Sequence, residues 1–311
     1  MPLSPDSVRD RVTAVVAVTV AAIAATGCSE PPPPEVGAAA ARPLVVISVA
    51  PHRYFVEALA GNAVEIVALL PPGASPTSFE PGIDTLRSIG RAQLLVRVGH
   101  PHFPFERAWL DDLLNDRSDL LTVDAQASLD EGNGGGGGHR AGDRIESAEH
   151  LDPHNWLSPA AVLALVDALE PAVAQLLDDA PAVGQRAATL REQIRALDAE
   201  LGAQLASVRG GRFLVLHPAW GHFAESYGLE QIAIERDGKP PGPRELAQLV
   251  RDAREAGLQS VIVVPQTDPA QARSVAEAIG GRIVELDPLA ADWPAAMRRT
   301  AQVLAREAVV R

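Results

Sequence analysis

Residues 181–208, PAVGQRAATLREQIRALDAELGAQLASV, decide the fold. Leu190, Ile194, Leu197, Leu201 and Leu205 recur every three or four positions, which places them on one face of a helix with few breakers in it. On both sides of this stretch, short apolar runs alternate with helical segments. Upstream, Leu44 to Val49 is an apolar run suited to a strand buried on both faces, and Val64 to Leu70 and Leu94 to Val98 are two further strands. Tyr54 to Ala60, Ile83 to Arg91 and Phe105 to Leu114 read as helices between and after them. Ser158-Pro159 opens another helix, because serine caps it and proline is tolerated in its first turn. Downstream, the strands are Arg212 to Leu216, Ser260 to Val264 and Arg282 to Leu286; the helices are Arg244 to Ala256, Ala270 to Ile279 and Trp293 to Val310. Strands alternating with helices imply parallel sheets covered on both faces. The rhythm occurs twice. The expected fold is therefore α/β, two Rossmann-like lobes over 43–180 and 209–311, joined by one long rigid helix over 181–208.

The bulk composition narrows the functions available. Apolar residues make up 47% and charged residues 22% of 311, an ordinary globular balance that supports a sizeable core. A net charge of −13 repels nucleic acid and anionic headgroups, so neither is expected as a partner. The single cysteine, Cys28, excludes an intrachain disulfide and a zinc site built from thiolates. Arg9 and Arg11 precede an apolar run, Val12 to Ala25, that is shorter than the roughly 20 residues a bilayer span needs and suits a signal-peptide core. Ala25-Thr26-Gly27-Cys28 then resembles a bacterial lipobox, with Ala25 where leucine is usual. The expectation is a lipoprotein signal over 1–28, lipidation at Cys28 and a Pro/Ala-rich tether over 29–42, so that the membrane is met only through the anchor. An ordinary cleaved signal with an incidental cysteine is the alternative.

Ligands of open parallel sheets bind beyond the carboxyl ends of the strands. The polar residues that follow strands here are rich in histidine: His52 after the first, His100 and His102 after the third, and His217 after Leu214-Val215-Leu216. Asp287 follows the last strand, and His154 sits just before a helix in Asp152-Pro153-His154-Asn155-Trp156. Imidazole and carboxylate are the usual non-thiolate ligands of zinc. One strand-end histidine is more often structural than ligating; the set as a whole points to metal.

Four segments in order carry a family resemblance. They are Leu70-Pro71-Pro72-Gly73-Ala74-Ser75-Pro76 with Phe79-Glu80-Pro81, Asp152 to Pro159, Leu216-His217-Pro218-Ala219-Trp220-Gly221, and Glu285-Leu286-Asp287-Pro288-Leu289. From about Pro43 to Ala290 the chain resembles the zinc and manganese substrate-binding proteins of ABC transporters. The resemblance implies two α/β lobes on one long helix, a metal site in the cleft between them, and delivery of the metal to an ABC permease outside the cytoplasmic membrane. It implies His154, His217 and Asp287 as ligands, His154 from the first lobe and the other two from the second. Zinc is the expected ion, because His217 stands where manganese-selective relatives carry a carboxylate; manganese is the alternative.

The family's remaining ligand is a histidine at the position of Thr77, and threonine binds zinc poorly. Three accounts of Thr77 stay open. Another side chain supplies the fourth ligand, a water fills the place held by Thr77 or Glu80, or tight binding has been lost. The first is preferred, with His100 ranked ahead of His102 and then His52. His139 and His150 read as residues of a solvated glycine-rich loop. His222 and Trp220 read as packing or as partners of a ligand, and Gln266 as a residue lining the cleft. A zinc hydrolase is the rival enzyme, but the chain carries neither a His-Glu-x-x-His helix nor a Gly-x-Ser-x-Gly turn. A binder of metal chelates such as a siderophore or haem would need a wider, aromatic or arginine-lined cleft, and aromatics are 4% here. The expectation is a binding protein, not an enzyme.

Overall fold

The computed structural model describes residues 41–110, 114, 117–127, 152–235 and 239–310. Cys28, the signal region, most of the tether, and His139 and His150 lie outside the described residues.

The first lobe runs β1 (Leu44–Ile47), α1 (His52–Ala60), β2 (Glu65–Ala68), α2 (Ile83–Arg91), β3 (Leu94–Arg97), α3 (Pro104–Trp109) and β4 (Leu121–Asp124). Two helices follow, α4 (Pro159–Leu177) and α5 (Ala180–Leu205). The second lobe continues with β5 (Arg212–Val215), α6 (Gly221–Tyr227), β6 (Glu230–Ala233), α7 (Pro243–Glu255), β7 (Ser260–Val263), α8 (Ala270–Ile279), β8 (Arg282–Glu285) and α9 (Trp293–Glu307). Both sheets are four-stranded, with orders β2-β1-β3-β4 and β6-β5-β7-β8. Every strand pair in them is parallel.

Local chemistry explains the elements. Ser158 caps α4 by accepting the Ala161 N–H, and Pro159 takes the first helical position, as the sequence implies. Asp178 turns the chain into α5 with a left-handed φ of 51°, a conformation that a short polar side chain tolerates, and Asp179 caps α5 through the Ala182 N–H. The apolar stripe of α5, Val183, Ala187, Leu190, Ile194, Leu197, Leu201 and Leu205, is buried along its whole length. Truncating any one of its leucines to alanine removes about 2–5 kcal/mol. The linking helix is therefore part of the core, and residues 42–311 form one compact unit.

Strand β5 shows how that core is divided. Phe213 and Val215 join the large cluster that includes the first lobe and α5, whereas Leu214 and Leu216 join a smaller cluster under α7 and α8. Alternate side chains serve opposite faces, as the pleat requires. Four elements depart from the sequence expectation. Strands β4 and β6 and helix α6 were not anticipated, because β4 and β6 are edge strands with exposed polar positions such as Thr122 and Glu230 and lack a continuous apolar run. The terminal helix ends at Glu307 rather than Val310, because Ala308 is extended and Val309 exchanges two 2.9 Å backbone hydrogen bonds with Arg212.

Candidate metal centre

The carboxyl ends of both sheets and the segment 152–157 supply the candidate residues. Asp152-Pro153-His154 folds as a tight polar turn in which Asp152 Oδ1 accepts the His154 N–H at 3.0 Å. The same oxygen holds His154 Nδ1 at 2.6 Å. His154 is buried, and burial pushes its pKa below the ordinary histidine value while the Asp152 carboxylate acts in the opposite sense. In the neutral form that burial favours, Nδ1–H is given to Asp152 and the lone pair lies on Nε2. Burial pushes the Asp152 carboxyl upward, but His154 and His222 more than offset it.

This turn is tied to the second lobe. His222 Nε2 lies 3.0 Å from the Asp152 carbonyl, Trp156 Nε1 donates to the Pro288 carbonyl at 2.7 Å, and Trp293 Nε1 donates to the Trp156 carbonyl at 2.7 Å. A side chain at position 221 would strike Asp152, since a Cβ on Gly221 would sit 2.6 Å from Asp152 Oδ2. Thus His154 belongs to the first lobe by sequence, while its backbone is fastened to the second.

His217 ends β5 and brings its ring within 5.3 Å of the His154 ring, centroid to centroid, at 78° between planes. Its Nδ1 is 3.7 Å from Glu235 Oε2 at the end of β6. Asp287, exposed beyond β8, accepts the Leu289 N–H at 3.0 Å and Gln266 Nε2 at 2.8 Å, both on Oδ1. Each of the three implied ligands thus has one donor atom facing a partner: Asp152 for His154, Glu235 for His217 and Gln266 for Asp287.

The first lobe's candidates are arranged differently. His100 is buried and its Nδ1 accepts the His102 N–H at 3.0 Å, which leaves Nε2 as the protonated nitrogen in this rotamer. His102 is exposed, with its ring 5.6 Å from that of His100. His52 is fully buried against Trp156, and neither ring nitrogen has a hydrogen-bond partner. Burial lowers its pKa to about 4. Thr77 and Glu80 are exposed, and the Thr77 hydroxyl shares a 2.8 Å hydrogen bond with Ser75 Oγ. Glu106 is buried and accepts the Val98 and Gly99 N–H groups at 2.7 and 2.8 Å, which supports the end of β3. Among the described residues, no three His, Cys, Asp or Glu side chains converge closely enough to hold one ion.

The sequence assigns no role to Asp152, which orients His154, or to Glu235, which lies beside His217, and it places Gln266 only in the cleft lining. Asp152 had a signal, because an aspartate two residues before a histidine folds back on its N–H. Asp268-Pro269-Ala270 and Asp287-Pro288-Leu289 form the same turn, at 2.9 and 3.0 Å. The Glu235 and Gln266 contacts had no local signal, since strand pairing alone creates them.

The comparisons with known proteins agree with this layout. Residues 45–307 match the sequence profile of the family described as zinc-uptake complex component A, periplasmic (ZnuA). The zinc-binding protein AdcA of Streptococcus pyogenes serotype M1 is 24% identical over 264 residues, covering 79% of this chain and 50% of that protein. The zinc-binding lipoprotein AdcA of Streptococcus pneumoniae serotype 4 is 25% identical over 253 residues, with the same 79% and 50% coverage. The chain thus spans about half the length of these streptococcal relatives. A crystal structure of ZnuA superposes with a TM-score of 0.74 at 29% identity, covering 86% of this chain and 99% of that one. The periplasmic zinc-binding protein TroA of Treponema pallidum shares the fold, with a TM-score of 0.73 at 17% identity over 86% of this chain and 99% of its own. With 45–307 inside the family profile and both lobes on the same scaffold, the chain belongs to the periplasmic zinc-uptake component A (ZnuA) family.

Proposed function

We propose that this protein captures a zinc ion outside the cytoplasmic membrane and delivers it to the permease of an ABC importer. The observation that carries the reading is the approach of the His154 and His217 rings to 5.3 Å, each with a carboxylate beside its Nδ1. Two imidazoles with oriented partners are a nitrogen-rich start to a tetrahedral zinc site. Asp287, on the turn beyond β8, is the third ligand in this reading. The fourth comes from the first lobe. His100 is the first choice once its ring turns away from the His102 N–H, with His102 next, or else a water held by Thr77 or Glu80. The relatives' zinc-binding names support zinc over manganese. The family consists of transport components rather than enzymes. Lipidation at Cys28 completes the proposal and holds the protein at the membrane, as in the pneumococcal relative named a lipoprotein.

The test is metal analysis of protein purified without a chelating tag, followed by competition titration of zinc and manganese. Wild-type protein should retain about one zinc ion, and replacing His154, His217 or Asp287 by Ala should each weaken zinc by more than roughly 100-fold. Zinc affinity unchanged in all three variants would end the reading. For the anchor, Cys28→Ala should move the protein out of the membrane fraction; its retention there would count against lipidation.

A further inference from the structure

The turn after β7 and the turn after β8 meet at one carboxylate. Strands β7 and β8 are neighbours, with Val263 paired to Glu285, so the chain just beyond each ends on the same side of the sheet. Thr267 fixes the first turn by bringing its N–H and its Oγ1 to the Val264 carbonyl, each at 3.3 Å. Gln266 is thereby held where Nε2 donates to Asp287 Oδ1 at 2.8 Å. The second turn, Asp287-Pro288-Leu289, brings the Leu289 N–H to the same oxygen at 3.0 Å. Two donors satisfy both lone pairs of Oδ1. The oxygen that remains for a cation is Oδ2.

This matters for the choice of ion. Zinc is content with four donors in a tetrahedron, whereas manganese favours more donors and more oxygen. A carboxylate that binds through both oxygens adds a donor and serves the larger coordination number. One that binds through a single oxygen serves the smaller. We propose that Gln266 is a metal-selectivity residue: by occupying Oδ1 it makes Asp287 a one-oxygen ligand and favours zinc over manganese. The proposal rests on the reading of Asp287 as a ligand. Gln266 does not itself touch the ion; it acts through Asp287, as Asp152 acts through His154.

The test uses the full chain and three probes, zinc, manganese and cobalt(II) chlorides. Gln266→Met keeps the side-chain length and removes the N–H donor. The zinc-to-manganese selectivity ratio of this variant should fall by about tenfold. The strong visible absorption of the four-coordinate cobalt form should weaken as a fifth donor enters. A purely structural role for Gln266 would lower both affinities together and leave the cobalt spectrum as it is in the wild type. That result, or no change in either measurement, would overturn the proposal. Asp287→Ala keeps the two failures apart. If it leaves zinc affinity unchanged, the ligand reading is at fault; if it weakens zinc strongly while Gln266→Met leaves selectivity and spectrum unaltered, only the role of Gln266 is lost.

Discussion

Val49 in the first lobe and His217 in the second occupy corresponding places, each two residues beyond the last paired residue of the lobe's leading strand. Val49 is sealed in the core, whereas the His217 side chain is 25% exposed and faces His154 and Glu235. Three residues further on, His52 corresponds to Trp220. Both are buried, and both keep ring nitrogens without a hydrogen-bond partner. The last two strands differ as well. Between β3 and β4, Arg97 grips both oxygens of Asp124, one of them at 2.8 Å through Nη2, and neutralises the charge. Beyond β7 and β8, an amide and a backbone N–H hold one oxygen of Asp287 and leave its charge in place. Identical strand order thus supports two kinds of strand end. One is packed and neutralised. The other keeps an imidazole part-exposed and a carboxylate without a cationic partner, and the His154 turn is fastened to that second lobe.

The comparison breaks most completely if the second lobe is given the first lobe's chemistry. Gln266→Arg would form a two-pronged pair with Asp287, as Arg97 does with Asp124, and would add positive charge to the site. Zinc affinity should fall on the order of 1,000-fold, about 4 kcal/mol, by competition titration. Retention of wild-type affinity would mean that Asp287 is no ligand.

The His52–Trp220 correspondence is sharpened by pH. Burial holds the His52 pKa at about 4, against the ordinary histidine value of 6.5. Between those values the unfolded chain takes up a proton that the folded chain refuses, so stability declines as pH falls through that window and the loss is complete below it. The full cost is about 3 kcal/mol. Urea unfolding of His52→Leu should show a shallower dependence between pH 6.5 and 4, whereas Trp220→Phe should keep the wild-type slope. Equal slopes in wild type and His52→Leu would show that another group titrates.

Smaller effects belong to the first lobe. Arg97→Gln leaves Asp124 in a partly buried place without its guanidinium and should cost about 1–2 kcal/mol in denaturant unfolding. Zinc affinity should stay within about twofold, because that carboxylate serves the lobe and not the ion. Thr77→Ala should also change zinc affinity by no more than about twofold, as the hydroxyl is exposed and bonded to Ser75. A large loss in Thr77→Ala would favour a water held by Thr77 in the fourth position over His100.

The amino-acid sequence by itself determined the two-lobed α/β architecture and the linking helix. Periodicity is a local signal, and the stripe from Leu190 to Leu205 states it without reference to anything distant. It also determined which residues end strands, and hence His217 and Asp287, because apolar runs and the polar residues that stop them are contiguous. The edge strands β4 and β6 escaped, since a half-exposed strand of four residues mixes polar with apolar positions and imitates a loop. Only the tertiary structure decided which donors meet. Residues 63 positions apart, His154 and His217, come together because three long-range hydrogen bonds fasten the 152–157 turn to the second lobe. Gln266 finds Asp287 because two strands pair in register, and His52 loses its charge because Trp156 and the core close over it. Pairing, burial and the charge state of a buried ring are properties of neighbours in space, and no window along the chain contains them.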